Sequence, residues 1–363
     1  MKRLSWLIVT VLVLVACGST ATRQPANDSA ATTNAPTAGT AAEATDAPAP
    51  TSAGSGTLTS VKVGLDWTPN TNHTGLYVAQ SKGYYRDNGL NVDIVQAQEG
   101  GTVEQLVAAG KLDFGISYQE GVTLARVENV PIVSIAAIIQ HNTSGFASRK
   151  EKNITSSKDF EGKKYGAFGS PTEQAVIKGL MDCVGADFSK VQFVDIGSTD
   201  FFVATERGDI DFAWVFKGWT GAEAEQRNIP LNIVMMNDLK CIPDYYTPVI
   251  ITSEKMISEQ PDVVRRFMAA TSAGYQFAIA NPSEAADMLV AAAPELDKGL
   301  VQRSQAYLSQ QYQADAPRWG EQRVEVWRDY AQWMADRKLL ARMIEPEKAF
   351  TNQFLSAASA WQR

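Results

Sequence analysis

Short stretches with strand-like alternation are followed by helix-like patterns along most of this chain. Residues 61–65 alternate between apolar and polar or small side chains, which is the period-two pattern of a strand. Residues 74–82 then carry apolar side chains at helical spacing, and Gly83 ends that pattern. The same alternation recurs until the tail, which is predicted to be helical from residue 262 onward. The pattern therefore predicts an α/β fold with parallel sheets and covering helices.

Two segments of this pattern predict that the chain passes between two lobes. Residues 146–149 are predicted to be a first crossing, and residues 246–251 a return crossing. We therefore expect lobe I to comprise residues 58–146 plus 249–363, and lobe II residues 147–248. Two lobes joined by two crossings make a clamshell that closes on a ligand by a hinge motion.

The N-terminal segment has the composition of an export signal. Lys2 and Arg3 precede an apolar run at residues 7–16 that is too short for a comfortable membrane span, which predicts a secretory signal peptide. The run ends in Leu-Val-Ala-Cys, the pattern of a bacterial lipobox, so Cys17 is predicted to be the lipidated first residue of the mature protein. The alternative is an ordinary signal peptide with an incidental cysteine.

Residues 18–57 are dominated by Ala, Thr, Ser and Pro. Such a segment has almost no apolar surface to bury, and we expect it to be a disordered tether. Two acyl chains on one thiol anchor a protein stably to a membrane. The expected location is therefore the outer face of the cytoplasmic membrane.

The remaining composition excludes several classes of protein. The formal net charge of −7 and the absence of a basic cluster argue against nucleic-acid binding. The chain has two histidines, His73 and His141, and neither CxxC nor HExxH, so no metal site is expected. Besides Cys17, only Cys183 and Cys241 remain. No spacing identifies a disulfide framework, and we expect two separate buried thiols, with one disulfide as the alternative.

Trp67 stands where the first predicted strand ends, in a loop rich in hydrogen-bonding side chains. The loop also contains Asn70, Asn72 and His73. Ligands of α/β folds bind at the carboxyl ends of strands, so we expect Trp67 and Asn70 to contact a ligand. The alternative for Trp67 is a core residue that covers the end of the sheet.

Further aromatic residues follow other predicted strands. Tyr118 follows the strand at residues 114–117, Trp214 and Phe216 share one face of a later strand, and Tyr246 lies at the return crossing. We expect Tyr118, Trp214 and Tyr246 to contact the ligand, whereas core and site are equally open for Phe216. Rings that converge from separate segments predict a flat, stacked ligand. Neutral hydrogen-bonding groups for its edge are expected from Asn70, Asn72, Thr74 and Ser117.

Residues 169–173 follow a strand pattern and open a helix. Ser170 at the N-cap, Pro171 at the first helical position and Glu173 predict a capping box. Glu173 is also the expected carboxylate for pairing with ring N–H groups or hydroxyls of the ligand. The loop contains no Lys or Arg, so a neutral ligand is favoured over a phosphate.

The segment LDWTPNTNHTGLYVA at residues 65–79, followed by KGYY and GLNVDI, resembles a known family. It is similar to the thiamine-pyrimidine-biosynthesis-like group of ABC-importer solute-binding proteins, and the resemblance extends from about residue 57 to the C-terminus. It implies a type II periplasmic-binding-protein clamshell that uses no cofactor. It also implies an ABC permease and its ATPase as partners.

The resemblance implies two ligands, riboflavin or a formylaminopyrimidine that is salvaged for thiamine. We expect riboflavin, because the many aromatic residues suit a three-ring system and the neutral amides suit a ribityl chain. A sandwiched pyrimidine would use several of the same residues.

The same family includes a pyrimidine synthase that consumes pyridoxal phosphate, which is the alternative from another class of function. The resemblance places Ser117 at the lysine of that enzyme and Gly121 at its histidine. Its cysteine cluster would fall near residues 244–247, which contain no cysteine. We therefore do not expect enzymatic activity.

Overall fold

The computed structural model of the protein describes residues 57–96, 101–169, 172–197, 199–238 and 240–356. The predicted signal peptide with Cys17, residues 18–56 of the predicted tether, and Ser170 and Pro171 of the predicted capping box lie outside the described residues. None of the described helices is both long and apolar enough to cross a membrane.

The described residues form ten strands and thirteen α-helices that alternate for most of the chain. The strands are β1 (Thr59–Gly64), β2 (Leu90–Val95), β3 (Phe114–Ser117), β4 (Ile132–Ala137), β5 (Ser144–Arg149), β6 (Lys164–Ala167), β7 (Gln192–Asp195), β8 (Phe212–Phe216), β9 (Leu231–Met235) and β10 (Val249–Ser253). The helices are α1 (Thr74–Ser81), α2 (Tyr84–Asp87), α3 (Val103–Ala108), α4 (Gln119–Val127), α5 (Glu173–Cys183), α6 (Phe201–Glu206), α7 (Ala222–Gln226), α8 (Glu254–Glu259), α9 (Pro261–Ala280), α10 (Pro282–Ala292), α11 (Lys298–Leu308), α12 (Val324–Asp336) and α13 (Pro346–Ala349).

The strands form two five-stranded sheets, one in each lobe. The sheet of lobe I has the order β2-β1-β3-β10-β4, and the sheet of lobe II has the order β7-β6-β8-β5-β9. The predicted α/β clamshell with two crossings is therefore confirmed. The carboxyl ends of the parallel strands in the two sheets provide the residues that line the cleft between the lobes.

The prediction of purely parallel sheets is wrong for one strand in each sheet. Strand β10 runs antiparallel to β3 and β4, and β5 runs antiparallel to β8 and β9. Both strands follow a crossing directly. The chain enters the new sheet at its cleft edge, where the parallel strands end, so the entering strand runs in the opposite direction.

The crossings differ in part from their predicted positions. Strand β5 already begins at Ser144 and pairs within lobe II, so the first crossing occupies residues 138–143 and a boundary at 146/147 is too late. The return crossing occupies residues 236–248 between β9 and β10. The short SGFASR sequence of β5 has a weak strand pattern, so the sequence alone predicts a crossing where the structure has a strand.

A close contact between helices α1 and α9 fixes the start of α1, and with it the preceding loop. A Cβ atom on Gly274 would lie 2.0 Å from the Gly75 carbonyl oxygen, so the glycines allow this approach. The hydroxyl of Tyr275 donates to the Asn72 carbonyl at 2.7 Å, and that of Tyr312 donates to the Thr71 carbonyl at 2.5 Å. The loop that carries Trp67 is therefore anchored from behind.

Helix α12 joins the two lobes from outside the cleft. Its Tyr330 ring stacks on Tyr245 of the return crossing with 4.2 Å between centroids. Trp333 of the same helix packs beside Gly179 of α5 in lobe II, and α12 also contacts α4 of lobe I. The helical tail thus contacts both lobes instead of lobe I alone.

Cys183 and Cys241 form a disulfide, so the expectation of two separate thiols is wrong. Cys183 ends α5, and Cys241 lies in the return crossing 58 positions later. The crossing folds back against the end of α5 and brings the two Cα atoms to 6.0 Å, which is within bonding range. The disulfide attaches the return crossing to lobe II.

Candidate functional site

A cavity of about 510 Å³ lies in the cleft between the lobes, and we call it the cleft cavity. Its volume is typical of sites for small organic ligands. Residues from the ends of β1, β3, β6 and β8 line it together with residues of both crossings. The lining residues are Asp66, Trp67, Thr68, Asn70, Thr71, Asn72, Tyr118, Thr143, Phe168, Trp214, Val215, Phe216, Gly218, Trp219, Thr220, Thr247, Pro248 and Leu308.

Four aromatic rings of the cleft cavity are unusually exposed. Trp67 is 64% exposed, Phe168 47%, and Tyr118 and Phe216 42% each. They are the exposed aromatic side chains within the part of the chain that the structure describes. Trp67 and Tyr118 belong to lobe I, whereas Phe168 and Phe216 belong to lobe II. Aromatic surface kept in water on both sides of a cleft is suited to hold the two faces of a planar ligand.

The loop after β1 presents Trp67 and is stabilised by its own polar side chains. The Asn70 side-chain oxygen accepts from the Asn72 N–H at 2.9 Å, and its amide donates to the Thr68 carbonyl at 2.9 Å. The Asn70 N–H donates to Nδ1 of the fully buried His73 at 3.3 Å. Asn70 lines the cleft cavity, but its side-chain oxygen and amide group already form hydrogen bonds within the loop.

His73 holds the carboxylate of Asp66 in a defined orientation. Because a backbone N–H donates to Nδ1, the proton of the neutral ring resides on Nε2. Nε2 therefore donates to Asp66 Oδ1, at 2.7 Å. No described residue hydrogen-bonds the other oxygen of Asp66, and the side chain is 23% exposed. The residue pattern missed Asp66, although it directly precedes Trp67.

Trp214 and Phe216 both line the cleft cavity but differ in burial. Trp214 is partly buried and packs against Phe146, with 5.6 Å between ring centroids. Phe216 is exposed and is therefore part of the cavity wall, which resolves the alternative between core and site. A π-helical turn at Lys217–Gly221 then carries Trp219 to the same wall.

Glu173 is expected to contact the ligand, but in the structure it is not among the lining residues of the cleft cavity. It is only 3% exposed and begins α5, and both carboxylate oxygens lie 3.1 Å from the N–H of Phe168, which donates to them. The carboxylate thus fixes the backbone of Phe168, whose ring lines the cleft cavity. Phe168 directly follows a predicted strand, as Trp67 and Tyr118 do, and this position is the feature of the sequence that could have identified it as a site residue.

Tyr246 is also misplaced by the sequence prediction. It is 2% exposed, its N–H donates to Gln119 Oε1, and its hydroxyl accepts from the Arg323 N–H, both at 2.9 Å. Thr247 and Pro248 line the cleft cavity at this crossing instead. Sequence alternation cannot decide which side of an irregular crossing faces the cleft, since no sheet fixes its orientation.

The electrostatics of the cleft cavity favour neutral or donor-bearing ligands. Asp66 is the one charged side chain among its described lining residues, and no Lys or Arg is among them. Partial burial of Tyr118, followed by the carboxylates of Glu104, Glu120 and Asp66, raises its pKa to about 12, so its hydroxyl stays protonated and can donate. Within the described residues, no group of three His, Cys, Asp or Glu side chains is arranged to hold a metal ion.

A second cavity of about 450 Å³ adjoins the first in lobe I and shares Asp66 and Tyr118 with it. Its further lining includes the neutral polar side chains of Gln96 and Thr102 and the charged side chains of Lys62, Glu104 and Lys111. The two cavities together offer an aromatic part and a more polar part.

Ser117 and Gly121 occupy the positions that the resemblance assigns to the lysine and histidine of the synthase. The buried Ser117 hydroxyl donates to Glu104. A Cβ atom on Gly121 would lie 3.0 Å from the Glu104 carboxylate and 3.1 Å from the Tyr118 ring. These two positions therefore present neither an amine for a Schiff base nor ready space for an imidazole.

Comparison with known proteins gives relatives with several functions. The chain is 28% identical over 302 residues to the formylaminopyrimidine-binding protein of Halalkalibacterium halodurans, covering 81% of this chain and 90% of that protein. It is 25% identical over 369 residues to the riboflavin-binding protein RibY of Chloroflexus aurantiacus, covering 97% of each. It is also 25% identical to a 4-amino-5-hydroxymethyl-2-methylpyrimidine phosphate synthase of Legionella pneumophila, over 80% of this chain and 90% of that protein.

Solved structures with the same fold include ABC-importer binding proteins. The alkanesulfonate-binding protein SsuA of Xanthomonas axonopodis pv. citri superimposes with a TM-score of 0.62 at 12% identity, covering 82% of this chain and 99% of that one. At this identity the likeness establishes the fold alone. The family model described as NMT1/THI5 like matches residues 70–285, which is more than half of the chain. The chain therefore belongs to the NMT1/THI5-like family and has the fold of a periplasmic binding protein.

Proposed function

We propose that this protein is the solute-binding lipoprotein of an ABC importer and that it captures riboflavin. The observation that carries the proposal is the arrangement of four exposed rings, two from each lobe, around the cleft cavity. Closure of the hinge would bring Trp67 and Tyr118 against one side of a planar ligand and Phe168 and Phe216 against the other.

Three observations support riboflavin over a single-ring solute. With Trp214 and Trp219, six aromatic residues line a cavity of about 510 Å³, which is more aromatic surface than one pyrimidine ring can cover. The adjoining polar cavity suits a ribityl chain. The relative from Chloroflexus aurantiacus, which matches over 97% of both chains, is named for riboflavin binding.

The second candidate is formylaminopyrimidine. It is favoured by the relative from Halalkalibacterium halodurans, which has the higher identity of 28%. A pyrimidine would stack between one ring of each lobe and leave the remaining aromatic surface uncovered.

The ligand is tested by isothermal titration calorimetry of the full-length protein in detergent. We expect riboflavin to bind with one site per chain and to raise the melting temperature, and formylaminopyrimidine to bind more weakly. An alkanesulfonate serves as the control, because a cavity with Asp66 and without a lining Lys or Arg should not retain an anion. If the pyrimidine alone gives heat and stabilisation, the second candidate replaces the first.

We also propose that the protein is held at the outer face of the cytoplasmic membrane by lipid on Cys17 and delivers its solute to a membrane permease with an ATPase. The lipobox and the tether at residues 18–57 support this location. The absence of turnover is part of the same proposal. It is supported by Ser117 and Gly121 at the positions of the lysine and histidine in the synthase.

A further inference from the structure

The cleft cavity contains a carboxylate that the aromatic pattern does not explain. Asp66 lines both adjoining cavities. It is the one charged side chain among the described lining residues of the cleft cavity, whereas the adjoining cavity is also lined by Lys62, Glu104 and Lys111. One oxygen is bound by His73, and no described residue bonds the other. We propose that Asp66 selects the ligand by accepting, on Oδ2, an N–H donor at the edge of its planar ring. This inference rests on the proposed function, namely that the cleft cavity binds a planar heteroaromatic solute.

His73 determines which oxygen remains for the ligand. The Asn70 N–H donates to Nδ1 of the imidazole, so Nε2 carries the proton and binds Asp66 Oδ1 at 2.7 Å. The ring is fully buried, whereas the Asp66 side chain is 23% exposed. The carboxylate is therefore held on its protein side and open on its cavity side. A hydrogen-bonding group fixed before binding loses little entropy when the ligand arrives.

Closure of the cleft requires a donor for this oxygen. A stacked ligand would displace water from Asp66, and a carboxylate that loses water without gaining a partner is strongly destabilised. A ligand with an N–H at the right edge supplies that partner, whereas an anion or a ring with acceptors alone does not. A site built to bond a ligand N–H rejects an analogue without it far more strongly than an apolar pocket rejects a missing methylene.

Both candidate solutes carry the required chemistry. The isoalloxazine ring of riboflavin has an N–H at N3, and an aminopyrimidine has an exocyclic amine. Both solutes therefore offer an N–H donor to Asp66, and the experiment distinguishes them because it uses each as a ligand.

The decisive variant is Asp66→Asn. His73 Nε2–H can still donate to the side-chain oxygen, so the loop keeps its hydrogen bond. The amide nitrogen then takes the place of Oδ2 and presents two N–H groups to the N–H of the ligand. The acceptor is replaced by a donor at nearly constant shape.

The experiment measures the affinity of wild type and Asp66→Asn for riboflavin and for N3-methylriboflavin, which lacks the donor. We expect wild type to prefer riboflavin by about ten- to a hundredfold, the usual range for a hydrogen bond to a charged group. Asp66→Asn should bind riboflavin more weakly by a similar factor and should lose the preference. The matched control is Asp315→Asn, which also removes a carboxylate bonded to a histidine Nε2, at 2.9 Å, but lies outside the cleft cavity lining. This control should bind riboflavin as wild type does.

The outcomes separate this inference from the proposed function. If Asp66→Asn keeps both the affinity and the preference of wild type, the role of Asp66 is wrong while riboflavin binding stands. If wild type binds formylaminopyrimidine instead of riboflavin, the preferred solute is wrong. The same comparison with an analogue that lacks the amine then decides the role of Asp66. If wild type binds neither solute, both proposals fail.

Discussion

Removal of the Trp67 ring should weaken ligand binding strongly and leave the fold intact. The side chain is 64% exposed, so Trp67→Ala removes few contacts from the folded protein. A tryptophan presents up to about 250 Å² of surface, so roughly 160 Å² of Trp67 is in water, and a planar ligand would cover about half of it. At about 25 cal/mol per Å², the buried area is worth about 2 kcal/mol. That corresponds to a loss of affinity of roughly thirtyfold.

The assay is calorimetric titration of Trp67→Ala with riboflavin, together with its thermal unfolding. Trp214→Ala is the matched comparison, because Trp214 lines the same cavity but packs against Phe146. We expect both variants to bind weakly and only Trp214→Ala to melt at a clearly lower temperature. Unchanged affinity of Trp67→Ala, or a large drop in its melting temperature, would refute the assignment of Trp67 as exposed cavity wall.

Three further predictions concern other parts of the chain. Burial raises the pKa of Glu120 from an ordinary value near 4.5 to about 7, so stability is lost as pH rises between these values. The free energy of unfolding of Glu120→Gln, measured relative to wild type by denaturant titration, should therefore be higher at pH 8 than at pH 5 by roughly 3 kcal/mol. The hydrogen bond to Asp244, together with Asp315, raises the pKa of His141 from 6.5 to about 9. The stabilisation that protonated His141 gives the folded protein is complete below about pH 6.5 and absent above about pH 9. The melting temperature of wild type should therefore fall more between about pH 7 and pH 10 than that of His141→Gln. Cys17→Ala should release the protein from membranes or leave it unprocessed; unchanged fractionation and gel mobility would contradict lipidation.

The strand and helix periodicity predicts the fold because both sheets bury one or two faces of short, regular strands. It fails at β5 and β10, since direction within a sheet depends on where a crossing enters, which periodicity does not encode. The disulfide is not predicted for a similar reason, because Cys183 and Cys241 meet only where the return crossing folds back onto α5.

The candidate site is predicted best where a residue directly follows a strand, as Trp67 and Tyr118 do. The carboxyl end of a parallel strand faces the cleft in either lobe, so position in the chain translates into position in space. The sequence wrongly predicts that Glu173 and Tyr246 face the cleft. A helix start and an irregular crossing each have one side in the core and one side in the cleft, and the sequence does not show which side a residue takes. The sequence does not single out Asp66, because its proposed role depends on a hydrogen bond from His73 to one oxygen and on the lack of another charged side chain in the described lining of the cleft cavity.

A crystal structure of the protein with riboflavin would show whether a planar solute is held between the aromatic residues of the two lobes. We predict that the isoalloxazine ring lies between Trp67 and Tyr118 on one side and Phe168 and Phe216 on the other, with its N3–H directed at Asp66. A ring bound outside the cleft cavity, or one that touches the aromatic residues of a single lobe in a closed protein, would contradict it.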